Sequence, residues 1–396
     1  MKIFRSTSVY MLGEFIARAL PFVLMPYLSR KLGAEGYGEL ALYQAWISLL
    51  IIIVSYAQDA AIIRYAYFYG RRSLDVLVGV GYFYSISVTV GLCLISLVLE
   101  SEFMLIVSLC TATQTLVKIE LTVRQANKKP NQYVVIQIVT SILSVLFTLI
   151  ILENFHASAG GRMYALIISN AIVAIICVLG LRRKLFSYSV RQYKLAFVYL
   201  ITFSTPLLAN NLASFFKGQF DRVFIEDRFS LLELGEYAIG YQIASIVFII
   251  SFVIYRAVEP IYFSKLQSGL TLKFINQKVV TYGGLGLIPY GISLCIPSDI
   301  YEFLLGKDYP NVGIYVQPFI LAFSINALYF VYSSYISYFG KTKILAMISV
   351  SSMILYLILL FVLSIFGLWA LPYATVVSNV FLLFLAITTS KSIAHN

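Results

Sequence analysis

The chain has 396 residues, 60% of them hydrophobic and only 12% charged, where an ordinary soluble domain carries about a quarter charged. A mean hydropathy of +0.87 excludes a soluble globular enzyme, a disordered chain and a nucleic-acid-binding module, despite a net charge of +11. Twelve spanning helices of about 20 residues each would use about 240 residues and leave only short loops, with no room for a folded extramembrane domain.

Apolar segments separated by charged turns predict helices over 8–29, 39–63, 74–99, 103–123, 131–152, 161–181, 195–216, 234–256, 276–297, 312–339, 343–367 and 369–390. The split between the last two rests on Gly367 and Pro372. At the start, Lys2 and Arg5 precede an apolar run, as in a signal peptide. Glu14 interrupts that run and hydrophobicity continues through Leu28, so an uncleaved first helix is expected. Cys93, Cys110, Cys177 and Cys295 all fall in apolar stretches without metal-type spacing and are expected to be buried free thiols. With only two histidines, no metal or other cofactor is expected.

Charge tests the helix count. With both termini cytoplasmic, alternate loops place 21 Lys and Arg on the inner side and 7 on the outer, leaving Arg18 inside a helix. Such a positive-inside bias supports both count and orientation, and it accounts for the basic excess without a nucleic-acid partner. An internal repeat lies over this pattern. Gly38-Glu39-Leu40-Ala41-Leu42 recurs as Gly235-Glu236-Tyr237-Ala238-Ile239, an offset of 197, and Ser48 maps onto Ser245. The pattern predicts an all-α polytopic membrane protein of about twelve helices in two pseudo-twofold-related six-helix bundles. The bundles are expected at 1–190 and 191–396, joined by a basic cytoplasmic linker over 182–194. Duplicated bundles of this kind are a transporter architecture with the site at the repeat interface.

The segment Leu28-Ser29-Arg30-Lys31-Leu32-Gly33-Ala34-Glu35-Gly36-Tyr37-Gly38 resembles a turn of polysaccharide-exporting members of the MATE-like (MOP) superfamily. Those proteins have a leucine-rich helix end, a Leu-Gly, then a Tyr-Gly opening helix two. Asp221-Arg222-Val223-Phe224-Ile225, followed by Gly235-Glu236-Tyr237-Ala238, is similar to the matching turn of their second half. The fit is to Wzx-type flippases. The resemblance implies a V-shaped pair of bundles moving by alternating access, and a substrate of the undecaprenyl-pyrophosphate-linked oligosaccharide type.

Ionisable and polar residues inside spans carry the remaining information. Arg18 lies about 15 Å along helix one, near the midplane, where an arginine fork suits a crossing diphosphate. Glu14, one turn earlier, is its expected counter-charge and a candidate coupling site, with a purely structural ion pair as the alternative. In helix two, Gln44, Ser48, Ser55 and Asp59 fall on one face; in helix seven, Asn210, Ser214, Lys217 and Asp221 do. Each stripe is read either as a cavity lining or as a helix–helix hydrogen-bonding seam, and the cavity is favoured for helix seven. Asp59 and Arg256, again 197 apart, are expected at matching depth as a candidate gate pair; with Lys118, Glu120, Arg124 and Glu259 they are alternatively interfacial anchors or closing ion pairs. Tyr329, Tyr332, Tyr335 and Tyr338 run along helix ten as candidate sugar-stacking rings, with ordinary packing as the alternative.

The sequence contains no P-loop and no evident nucleophile–base pair, so no enzymatic activity is expected. The leading expectation is an inner-membrane flippase that moves a lipid-linked O-antigen or capsule unit from the cytoplasmic to the periplasmic leaflet. Membrane lipids and the pathway's polymerase are its expected partners. The competing readings are a cation-coupled drug exporter of the same fold and a membrane polysaccharide polymerase, which would need a larger outer loop.

Overall fold

The computed structural model describes the backbone of residues 2–70, 74–155, 157–180, 188–267 and 286–395. Side chains are described for these except 2–19, 21, 180, 256, 257, 260, 261 and 395. Every regular element among the described residues is a helix. Ten stretches among the described residues are long and apolar enough to cross a membrane, and the protein is an all-α polytopic membrane protein of about twelve spans.

The first helix, α1 (Lys2–Ser55), covers two predicted spans. Gly33, at φ +69°, breaks it into arms 2–32 and 34–55. A left-handed φ is cheap only for glycine, so the predicted turn survives as a kink instead of a loop. A second interruption follows at Tyr56 and Ala57, both left-handed at φ 45° and 51°. Helix two therefore resumes as α2 (Gln58–Phe68) instead of running unbroken to 63. Side chains of α3 (Leu74–Val98) satisfy carbonyls freed there: Tyr84 donates to Ile53 O at 3.0 Å and Ser85 to Val54 O at 2.9 Å. Backbone polar groups in a bilayer must find such partners.

Capping sets the later starts. Ser101 accepts from Met104 N to open α4 (Glu102–Ala126), and Pro130 opens α5 (Pro130–Asn154) from its first turn. After α6 (Ala159–Gly180), a reciprocal Ser189–Gln192 box opens α7 (Val190–Gly218). The helix starts five residues earlier than its hydropathy suggests. A short α8 (Phe220–Arg228) follows, and a second box, Ser230 with Glu233, opens α9 (Leu231–Gln267). The second half continues with a helix over 286–294 (α10), then α11 (Ser298–Leu305), α12 (Val312–Tyr338), α13 (Thr342–Leu363) and α14 (Leu371–His395). Gly367, at φ +106°, separates the last two as expected.

The chain forms two compact units, 1–32 with 39–215 and 33–38 with 216–396. Most of α7 belongs to the first unit, although the sequence expectation put it in the second bundle. Its Tyr199 stacks against Phe203, meets Tyr65 and Tyr69 edge-on, and accepts a hydrogen bond from Arg64 at 3.2 Å. In the second unit, Tyr332 and Tyr335 are buried in a cluster with Leu266, Ile336 and Ile348. These two rings of the tyrosine ladder are packing residues, not a free stacking surface. Cys110 and Cys177 are buried as expected, but Cys295, in the turn after α10, is exposed.

Candidate functional site

The glycine-rich turn is where the internal repeat becomes physical. Within the second unit, segment 33–38 packs on the start of α9. A Cβ built on Gly38 would lie 1.9 Å from the Leu231 carbonyl oxygen, and one on Gly235 would lie 1.9 Å from that of Ala34. These partners exchange under the 197-residue offset: Ala34 corresponds to Leu231 and Gly38 to Gly235. The two helix starts thus cross through a local twofold that only glycine on both sides permits. Tyr37 fastens the contact by donating to Gln242 Oε1 at 2.5 Å.

On the same unit, α8 carries a buried charge cluster. Asp221 and Arg222 are 2% and 5% exposed, and Arg222 donates to Asp221 Oδ1 at 2.9 Å. Tyr237 donates to the other carboxylate oxygen at 2.6 Å, and the guanidinium lies 4.5 Å from the Tyr241 ring centre. Burial works against the arginine's charge, but the Asp221 carboxylate together with Tyr241, Tyr237 and Tyr356 outweighs it and holds the guanidinium above its ordinary pKa. Every strong group in the cluster is engaged by another, which suits a locked structural joint.

This cluster corrects the helix-seven stripe. Gly218 and Gln219 end α7 before Asp221, so Asp221 sits on a different helix, buried, while Asn210 and Ser214 are exposed. Ser214 donates to Asn210 O, and Lys217 donates to Ser352 Oγ of α13 at 2.9 Å. The helix-two stripe fares similarly. Ser48 donates back to Gln44 O at 2.7 Å, Gln44 is exposed and Ser55 is buried. Hydroxyls satisfied one turn back need no cavity. Asp59 pairs with Lys118 of α4 at 3.1 Å, both about 40% exposed, so it has a partner other than the one expected. Glu14, Arg18 and Arg256 lie outside the residues whose side chains are described.

Two further arginines are buried, of which only Arg162 escaped the sequence reading. Arg124 pairs with Glu120 one turn earlier, and Tyr82 also donates to that carboxylate. Arg162, counted with the outer loop, is buried at the start of α6 and donates to Ser144 and Thr148 of α5. No group of three or more metal-ligating side chains occurs among the described residues.

The helical architecture and the paired glycine turn define a multi-pass membrane protein with the MATE-type transporter fold. It overlays a mutant of the Vibrio cholerae MATE transporter VcmN with a TM-score of 0.65 at 14% identity, covering 99% of this chain and 96% of that one. With the lipid II flippase MurJ in an inward closed conformation the TM-score is 0.72 at 12% identity, covering 96% and 87%. Residues 3–267 match the polysaccharide biosynthesis protein family, and the chain belongs to that family. Two Haemophilus influenzae proteins are similar along nearly their whole length. An uncharacterized membrane protein is 35% identical over 100% of this chain and 99% of its own, and Lsg locus putative protein 1 is 33% identical over 96% of each.

Proposed function

We propose that the protein is a flippase that carries a polyprenyl-pyrophosphate-linked oligosaccharide, an O-antigen or capsule unit, from the cytoplasmic to the periplasmic leaflet by alternating access. Membership of the polysaccharide biosynthesis family carries this reading, and the fold shared with a flippase of lipid II supports it. The protein performs no bond chemistry in this account. It sits in the inner membrane with both termini cytoplasmic and the pathway's polymerase downstream. Arg18 meets the diphosphate with its planar fork, Glu14 neutralises it between cycles, and the pairing of Asp59 changes as the cytoplasmic side opens.

The drug-exporter reading is less well supported, because a cation exporter needs acidic groups available within the membrane. Asp59 and Glu120 are already paired with Lys118 and Arg124. A polymerase would need a substantial outer domain, whereas the connection between α7 and α9 holds only the nine residues of α8 and its short flanks. A deletion strain tests the proposal. Complete lipid-linked units should accumulate on the inner leaflet while surface polysaccharide disappears. Complete units that reach the periplasmic face and merely fail to polymerise would overturn it.

A further inference from the structure

Helix α5 is strongly apolar, yet Gln137, Ser141, Ser144 and Thr148 follow one another at four, three and four residues. That spacing puts all four on one face. Its later half is explained by Arg162, which donates hydrogen bonds to Ser144 and Thr148. Its earlier half has no such partner. Gln137 and Ser141 instead line a cavity of about 190 Å³ between α4, α5 and α6, together with Gln114, Lys118, Thr140 and Asn170. Asn170 is 6% exposed, and the Oε1 atom of Gln137 is buried without accepting a hydrogen bond. A buried amide oxygen left unpaired is costly, so this face of the cavity is built for something that donates to it.

The lining selects the class of ligand. Three carboxamides and the Ser141 hydroxyl offer donors and acceptors beside apolar Val117 and Leu121; the Thr140 hydroxyl, which already donates to Ile136 O at 2.8 Å, can still accept, and no carboxylate is among the lining residues. In this conformation Lys118 is engaged with Asp59 at 3.1 Å, which offsets the charge that would favour a phosphate. A cation would find no counter-charge, and a lipid chain would strand every polar group. A neutral ring bearing several hydroxyls satisfies the set. The volume is on the order of six waters by their share of the liquid, enough for one sugar ring and too small for an oligosaccharide. Positive-inside orientation turns this half of the bundle toward the cytoplasm, where a lipid-linked unit would enter.

The geometry assigns this cavity as a monosaccharide subsite: it holds one pyranose ring of the translocated unit, with Gln137 accepting from a ring hydroxyl. The assignment rests on the flippase reading for its physiological ligand, but its binding chemistry is testable without transport. The test replaces Ser141 with cysteine in the purified full chain and follows modification of that position by a hydrophilic thiol reagent, using peptide mass spectrometry. Methyl glycosides of glucose, galactose and N-acetylglucosamine are the probes. At least one should slow modification about tenfold at ten times its Kd, by simple occupancy, while glycerol at the same concentration does not. Gln137→Leu should abolish that protection. The near-isosteric Thr140→Val should weaken it several-fold in a chain whose fold is undisturbed.

A thiol that never reacts, protection by none of the three glycosides, equal protection by glycerol, or protection unaffected in both variants would each overturn the subsite. The two proposals fail separately. If a deletion strain flips its units normally and glycosides still protect, the flippase reading falls and the subsite stands. Accumulated units without protection remove the subsite alone.

Discussion

Replacing Gly38 with alanine puts the twofold crossing of helix starts under direct load. The added Cβ would lie 1.9 Å from Leu231 O, 2.9 Å from its carbonyl carbon and 3.0 Å from Gly235 N, against ordinary contact at 3.4 Å or more. Relief requires a displacement of about 1.5 Å, and the obstacle is backbone, so no side chain can rotate away. Overpacking of this kind costs about 1–3 kcal/mol, and the backbone obstacle places Gly38→Ala in the upper part of that range. Better helix propensity returns at most about 1 kcal/mol, leaving a net loss of about 2 kcal/mol. For a unit of this size that is roughly 4–8 °C in Tm, measured by thermal denaturation of the purified protein in detergent. Gly235→Ala should cost about the same, since its Cβ meets Ala34 O at the same 1.9 Å. Once one alanine has parted the helix starts, the second meets less resistance, so the double variant should lose less than the sum by at least about 0.5 kcal/mol. Gly91→Ala, which opens onto free space, is the control and should be neutral or mildly stabilising. A Gly38→Ala protein as stable as the parent, or a strictly additive double variant, would refute the crossing.

Asp221→Asn leaves Arg222 buried without its counter-charge and should cost about 3–5 kcal/mol, read as a lower Tm; an unchanged Tm would mean the pair is solvated. Reporter fusions at Arg72, Lys129, Lys184 and Lys343 should report cytoplasm, and those at Glu35, Glu102 and Asp308 periplasm. One cytoplasmic result in the second group breaks the register. Arg18→Ala should abolish surface polysaccharide while the chain still accumulates in the membrane, and Arg18→Lys should retain part of the activity because charge survives without the fork. Normal polysaccharide with Arg18→Ala at normal expression would remove the diphosphate contact.

Hydropathy made the spans legible because the bilayer imposes a length that local composition must meet. The repeat at Gly38 and Gly235 was legible for a related reason, since a close backbone crossing restricts the residue type at a fixed offset. What depended on tertiary partners was hidden. Arg162 reads as a loop cation beside Gly160 and Gly161, and only Ser144 and Thr148 from another helix make its burial tolerable. The break at Tyr56 and Ala57 has neither proline nor glycine to announce it, because its freed carbonyls are repaired by Tyr84 and Ser85 from α3. Helical periodicity ran straight through Gly218 and joined Asp221 to a stripe from which the chain turns away. The cavity beside Gln137 was only half hidden: Gln137 and Ser141 share a face of α5 at helical spacing, but Gln114, Lys118 and Asn170 reach the cavity from two other helices.

The central claim is that this chain moves a lipid-linked sugar across a bilayer, and reconstitution measures that step alone. Purified protein is placed in liposomes carrying the lipid-linked unit extracted from the deletion strain, with all externally exposed sugar first oxidised by impermeant periodate. Sugar from the inner leaflet should then become accessible to a second periodate addition much faster with the protein than in protein-free liposomes, and Arg18→Ala should remove the difference. Equal rates with and without a correctly folded protein would contradict the account.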